Sequence, residues 1–370
     1  MIADPGLASW LQLTLTPGLG AAAIRSLLRQ FGLPRAVLAR KRSELAAYAT
    51  SAALDALESE AVHQAVKRAL EWCQSSGHLV VTLADETYPR SLLEIADPPP
   101  LLYAAGRAEL LQRTSLAVVG SRNASAQGER NAESFAKVFS EAGLTIVSGL
   151  AVGIDAAAHR GGLGGPGSTI AVLGTGIDVV YPRRNAPLAA EILARGLLVS
   201  EFPLGTEPAA YNFPRRNRLI SGLSRGCLVV EAALASGSLI TARAAADQGR
   251  EVFAIPGSIH SPIYKGCHSL LKSGAKLVES AEDVLAELSG FRPSGFASTT
   301  AVPQPSAAAS PPQGLLAHMG HDPVDIDSLC SLAGMSAEQV SSELLRLELD
   351  GRVTALPGGL YQRLEKGARG

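Results

Sequence analysis

The chain has 370 residues, 46% hydrophobic and 18% charged, with a formal net charge of -1. At roughly 100–200 residues per domain this predicts two or three domains, and the apolar share excludes a mainly disordered chain. Cys73, Cys227, Cys267 and Cys330 form no C-x-x-C pair, which excludes a cysteine-pair zinc site or redox motif, and no apolar run reaches the roughly 18 residues of a membrane span.

A reduced, cytoplasmic protein without a membrane partner is therefore expected. Residues 1–78 read as an Ala- and Leu-rich helical domain. Its clearest piece is the turn Pro17-Gly18-Leu19-Gly20, followed by Ala22, Ile24, Leu27 and Leu28 at helical spacing. Between Pro5 and Ser43 stand Arg25, Arg29, Arg35, Arg40, Lys41 and Arg42 with no acid. The turn resembles a helix-hairpin-helix that grips a phosphate backbone; a plain packing turn is the alternative.

Residues 79–288 change in texture. Apolar runs at 115–121, 144–150, 168–174, 196–202, 226–232 and 250–257 each end in Gly or a small polar residue and alternate with helical stretches. This predicts buried parallel strands and a doubly wound α/β domain, whose strand ends bind ligands. Gly120, Ser121 and Arg122 end the first run and form a candidate phosphate seat. Gly120 and Gly128 are too far apart for a dinucleotide fingerprint, and the next run ends in Ser148 and Gly149 with no acid for a ribose, so no nucleotide cofactor is expected. Asp155 and His159 lie four apart on the following helix. An intrahelical hydrogen bond anchoring the turn is preferred there to a catalytic pair or a metal half-site.

Residues 207–231 carry Arg215, Arg216, Arg218 and Arg225 with no acid between Glu207 and Glu231, and Tyr211 and Phe213 directly precede the arginines. Aromatic rings beside clustered Arg are the composition of a single-strand site, with Asn217 part of the same loop. Gly237, Ser238 and Thr241 make a further strand-end turn able to hold a phosphate; an N-cap is the plain alternative. In residues 265–277, His268, Leu270, Leu271 and Leu277 predict a homodimer contact or packing within one subunit.

Residues 289–312 are Pro, Ser and Ala with one charge, Arg292, and read as a flexible linker. Residues 313–370 hold three short helical patterns and a two-strand ending with a Pro357-Gly358-Gly359 turn, the outline of a winged helix. From Gln313 onward eight acids face five bases, which argues against a main DNA-binding role for this part.

Residues 88–106, 118–122, 148–159, 175–182, 213–224, 235–242, 255–259 and 265–275 together resemble the DprA/Smf family, DNA-processing protein A. The resemblance implies an extended Rossmann fold that holds single-stranded DNA without a cofactor or catalysis. It implies a mediator that protects incoming DNA in natural transformation, displaces single-strand binding protein and loads RecA, acting as a homodimer joined through the end of that domain. It further implies that Gly120, Ser121 and Arg122 contact DNA and that Phe213 stacks a base. A lysine often found just before the aromatic is replaced by Ala209 and Ala210, a gap that Arg215 or Arg216 would fill. Two rival readings are a phosphoribohydrolase-type nucleotide enzyme, with Glu231 before the ASGSLIT turn, and a winged-helix transcription regulator.

Overall fold

The computed structural model of the protein describes residues 5–288, 314–320 and 323–364. The expected linker at 289–312 and the basic end of the tail, Lys366 and Arg369, lie outside the described residues.

Six helices come first: α1 (Pro5–Leu15), α2 (Ala21–Phe31), α3 (Pro34–Leu38), α4 (Arg42–Leu45), α5 (Ser51–Leu57) and α6 (Glu60–Trp72). Thr50 and Ser59 start the last two, their hydroxyls accepting from the Ala53 and Val62 N–H groups. Leu13, Ile24, Leu27, Val37, Leu45, Leu54 and Leu57 make a small core of their own. Leu11 of α1 and Ala69 of α6 instead join the core of the sheet that follows.

That sheet has nine strands: β1 (His78–Thr82), β2 (Leu101–Gly106), β3 (Ser115–Val119), β4 (Thr145–Ser148), β5 (Thr169–Val172), β6 (Leu197–Ser200), β7 (Gly226–Val229), β8 (Glu251–Ala254) and β9 (Lys276–Leu277). Their order is β1-β2-β6-β5-β4-β3-β7-β8-β9. All six predicted runs are strands, and β3 to β7 are buried at every position. They pair in parallel from β6 across to β9, while β1 and β2 extend the sheet antiparallel. The chain enters at β3, winds outward to β6, then returns to β7 on the other side of β3. The strand order therefore reverses between β3 and β7, where open α/β sheets form a ligand crevice.

The helices of this region are α7 (Arg90–Leu93), α8 (Ala126–Glu141), α9 (Ile154–Leu163), α10 (Ala186–Arg195), α11 (Asn212–Leu223), α12 (Ser238–Asp247), α13 (Lys265–Lys272) and α14 (Ala281–Glu287). Side chains of α7, α11, α12 and α13 fill one face of the sheet; α8, α9 and α14 fill the other. The tail holds β10 (Val324–Asp325), α15 (Ile326–Ala333), α16 (Ala337–Leu349), β11 (Val353–Leu356) and β12 (Leu360–Arg363), with a single-turn 3-10 helix at Gly314–Ala317. Its sheet runs β10-β12-β11 over a separate core that includes Leu329, Val340, Leu344 and Val353. Helical domain, doubly wound sheet and winged helix follow one another as expected.

Candidate nucleic-acid interface

A cleft of about 710 Å³ opens over the β3–β7 switch point. It collects Gly120, Ser121 and Arg122 from the end of β3, Phe213, Arg216 and Asn217 from α11, and Gly237, Ser238 and Thr241 from the start of α12. A second cleft of about 390 Å³ adjoins it, lined by Gly149 and sharing Arg122, Asn123, Ala151, Tyr181, Phe213 and Arg216 with the first. Phe213 stands between the two. Nine of the residues predicted to contact DNA thus line the first cleft, and Gly149 lines the second.

The β3–α8 loop is held from below. The Ser121 N–H donates to the Glu231 carbonyl at 2.7 Å, and the Ser121 carbonyl accepts from Ile154 N–H at 3.2 Å. Arg122 is left exposed, and its guanidinium carbon lies 5.6 Å from the centre of the Phe213 ring. A Cβ at Gly120 would strike Ile154, and one at Gly174 would strike the Phe213 ring.

Arg216 is not the strand-tracking residue the sequence suggested. It is 4% exposed, and its Nη1 donates to the Gly149 carbonyl at 2.8 Å and to that of Val172. Its Nε donates to Asn217 Oδ1 at 3.1 Å. Burial pulls it down to about 10, against the pull of Asp155, so it is a fixed positive charge in the floor of the cleft at neutral pH.

Arg215 and Arg218 are not brought to this site. Arg218 pairs with Glu201, and with Asp97 at 3.4 Å. Arg215 lies 5.5 Å from the Phe202 ring and 3.5 Å from Glu201. It lines a third cleft, about 440 Å³, whose other wall is the Gly18-Leu19-Gly20 turn. The buried Glu201 side chain, paired with Arg215 and Arg218, lines this cleft together with the α2 N-terminus. Three of the N-terminal bases are also engaged: Arg25 pairs with Asp97 at 2.5 Å, Arg42 with Asp55 at 2.6 Å and Arg40 with Glu44 at 3.8 Å.

Asp155 and His159 anchor the turn after β4, but each does so separately. Asp155 Oδ2 accepts from Gly149 N–H at 3.1 Å, and His159 Nε2 accepts from Leu150 N–H at 3.2 Å. His159 Nδ1 meets Thr169 Oγ1 at 2.7 Å. Burial, then the Arg216 and Arg160 charges, pushes His159 down to about 3, so it is neutral.

Glu231 is buried beneath the loop. Its carboxylate accepts from Ser125 N–H at 2.9 Å, Ser125 Oγ–H at 2.6 Å and Tyr264 O–H at 3.0 Å. At α12, Gly237 precedes the helix without a side-chain cap; Ser236 Oγ accepts from the Ser238 N–H at 3.3 Å. Neither Ser238 nor Thr241 is the N-cap.

The remaining predicted contacts lie on α13 and the edge strand β9 and do not line the two strand-end clefts. Leu270 and Leu271 of α13 pack half-buried against the sheet core, and His268 Nε2 meets the Gly257 carbonyl at 3.0 Å. Leu277 on the edge strand β9 is 50% exposed. Among the described residues no group of three or more His, Cys, Asp or Glu is placed to hold a metal, and no helix is long and apolar enough to cross a membrane.

Sequence reasoning missed Tyr181, Asn123 and Arg184, which line the clefts. The signal was there: Tyr181 stands before Arg183 and Arg184 as Phe213 stands before Arg215 and Arg216.

The family model described as DNA recombination-mediator protein A matches residues 79–289, and the DprA winged helix domain model matches 299–359. Protein Smf of Escherichia coli (strain K12) is 45% identical over 307 residues, 82% of each chain. The X-ray structure of DNA processing protein A from Streptococcus pneumoniae superposes with a TM-score of 0.67 at 38% identity, covering 78% of this chain and 99% of that one. The Helicobacter pylori DNA processing protein A, described for its single-stranded DNA binding mode, gives 0.52 at 29% identity, covering 56% and 94%.

Proposed function

Because the chain belongs to the DNA recombination-mediator protein A family, we propose that it holds single-stranded DNA across the two strand-end clefts and delivers it to RecA. One observation carries this reading. An exposed arginine and an aromatic ring stand together over a cleft whose floor is the buried, positively charged Arg216. Phosphates pair with the first, bases stack on the second, and neither contact reads sequence. The H. pylori relative is described as binding single-stranded DNA, and the same role is assigned to this chain.

On this reading Arg122 has to move. A base sandwiched between Arg122 and Phe213 needs roughly 6.8 Å, two stacking distances of about 3.4 Å. The gap is 5.6 Å. Arg122 therefore swings off the ring when a base arrives, and its guanidinium takes a phosphate.

The rivals fit less well. Among the described residues, the Asp155 carboxylate is the one acidic group on the wall of the large cleft, and it is tied to Gly149. Glu231 is bound by Ser125 and Tyr264 beneath the loop rather than set against a nucleophile. Protection of incoming strands in natural transformation, displacement of single-strand binding protein and a homodimer formed at α13 and β9 belong to the same reading.

Fluorescence anisotropy on labelled oligothymidylate, repeated across a salt series, tests it. Arg122→Ala should flatten the slope of log affinity against log salt by about 0.7 for each phosphate left without its cation. Phe213→Ala should weaken binding by about 1–3 kcal/mol and leave the slope nearly unchanged. Wild-type behaviour in both variants would place the site elsewhere.

A further inference from the structure

The smaller cleft has no role in a site that ends at Phe213. Tyr181 forms its outer wall, 43% exposed, with its ring centre 5.6 Å from that of Phe213 and the planes 41° apart. Arg184 lines the same cleft, is exposed, and has no hydrogen-bond or ion-pair partner among the described residues. Among those residues no carboxylate lines this cleft. The segment carrying both residues is pinned rather than loose: Asn185 Nδ2 donates to the Leu150 carbonyl at 2.8 Å and to that of Ala151 at 3.2 Å. This ties the 181–185 loop to the turn after β4, the same turn that Arg216 and Asp155 hold from below.

A tyrosine that merely lidded the core would be covered, and an arginine beside it would be paired. Neither is so here. The ring separation excludes a base inserted between Tyr181 and Phe213, since that needs about 6.8 Å. Each ring instead offers its own outer face, with Arg122 beside one and Arg184 beside the other.

We propose that the DNA path continues past Phe213 into the smaller cleft, where Tyr181 stacks a further base and Arg184 takes a further phosphate. This rests on the reading of the main site as a single-strand site; it adds Arg184, which does not line the main cleft, and gives Tyr181, which lines both clefts, a stacking role. A strand long enough to cross Phe213 reaches Arg184; a strand that fills only the main cleft does not, although it meets Tyr181, which lines both clefts.

The test compares oligothymidylates of about 4 and about 16 nucleotides, the span of single-strand sites on comparable aromatic platforms. In the full-length chain, Tyr181→Ala should weaken binding of the long strand about tenfold or more, and the short strand by less. Tyr181→Phe, which keeps the ring, should bind both like the wild type. Arg184→Ala should lower the salt slope for the long strand by about 0.7 and not for the short one. Arg184 is exposed and unpaired, so this variant decides the matter even if Tyr181→Ala does not fold. Arg122→Ala and Phe213→Ala serve as references. If these two lose affinity while Tyr181→Ala and Arg184→Ala bind the long strand like the wild type, the extension is overturned and the main site stands. If all four bind like the wild type, both fall.

Discussion

His159 shows what a residue under the site contributes without touching a ligand. Its two ring nitrogens serve the Leu150 N–H and the Thr169 hydroxyl, and burial holds it neutral down to about pH 3. In the unfolded chain it titrates near 6.5, so between those values only the unfolded chain takes up the proton. Its contribution to stability is full above about pH 6.5 and is lost as the pH falls. The expected loss between about pH 6.5 and 5 is up to roughly 2 kcal/mol. Urea unfolding at several pH values should show a smaller acid loss in His159→Gln than in the wild type; parallel curves would refute the assignment. At the same scale, Arg122 and Phe213 were legible because both type and place pointed one way: a charge at a strand end, a ring before clustered arginines. Arg216 and Arg218 were not. Composition counts arginines but does not say which face of α11 they leave from, and here one turns to the carbonyls of Gly149 and Val172 and the other to Glu201.

Among the elements, six strands could be read directly because a buried parallel strand is a continuous apolar run between glycines. β1, β2 and β9 escaped notice: β1 opens with half-exposed His78 and exposed Leu79, and β9 is only two residues long. What sequence could not show is how the β3–α8 loop is fixed. Glu231, at the end of β7, ties that loop to the segment before α13 through Ser125 and Tyr264, and a Cβ at Gly128 would strike its carboxylate. All three of its partners donate. Glu231→Gln would turn an N–H₂ group toward at least one of them, while Ser125 Oγ already accepts from Gly128 N–H at 2.9 Å. A buried donor left unmatched costs about 1–3 kcal/mol. Thermal or urea unfolding should show that loss, together with weaker oligonucleotide binding, since the loop carries Arg122. Arg122→Ala, whose side chain is exposed, should lose binding without the stability change. Wild-type stability in Glu231→Gln would show that the carboxylate does not anchor the loop.

Across the whole molecule, charge separates the DNA-holding part from the tail. The one base on α16, Arg346, is paired with Glu343 at 2.6 Å and faces Asp350 at 3.7 Å. Glu338 and Glu348 are exposed on the same helix, as are Leu345 and Leu349. Phosphate neutralisation dominates affinity for nucleic acid, so this surface lacks the main attraction and has the apolar character of a protein contact. The tail's core shares no residue with the cores of the sheet, so a chain ending after Leu288 keeps the clefts and their supports. That truncation should bind oligothymidylate with the affinity and salt slope of the full chain; loss of binding would move the site to the tail. The proposed homodimer contact lies at the β9 edge of the sheet. Leu271 packs against the core, so a charge there would confound folding with assembly. Leu277 is half-exposed on the edge strand and gives the cleaner probe. Light scattering should find a dimer in the wild type and a folded monomer in Leu277→Glu. A folded variant that stays dimeric would place the dimer interface elsewhere. Because Leu277 lies on β9, two strands beyond β7, the monomer should keep its single-strand affinity per site and lose only what two linked sites add on long strands.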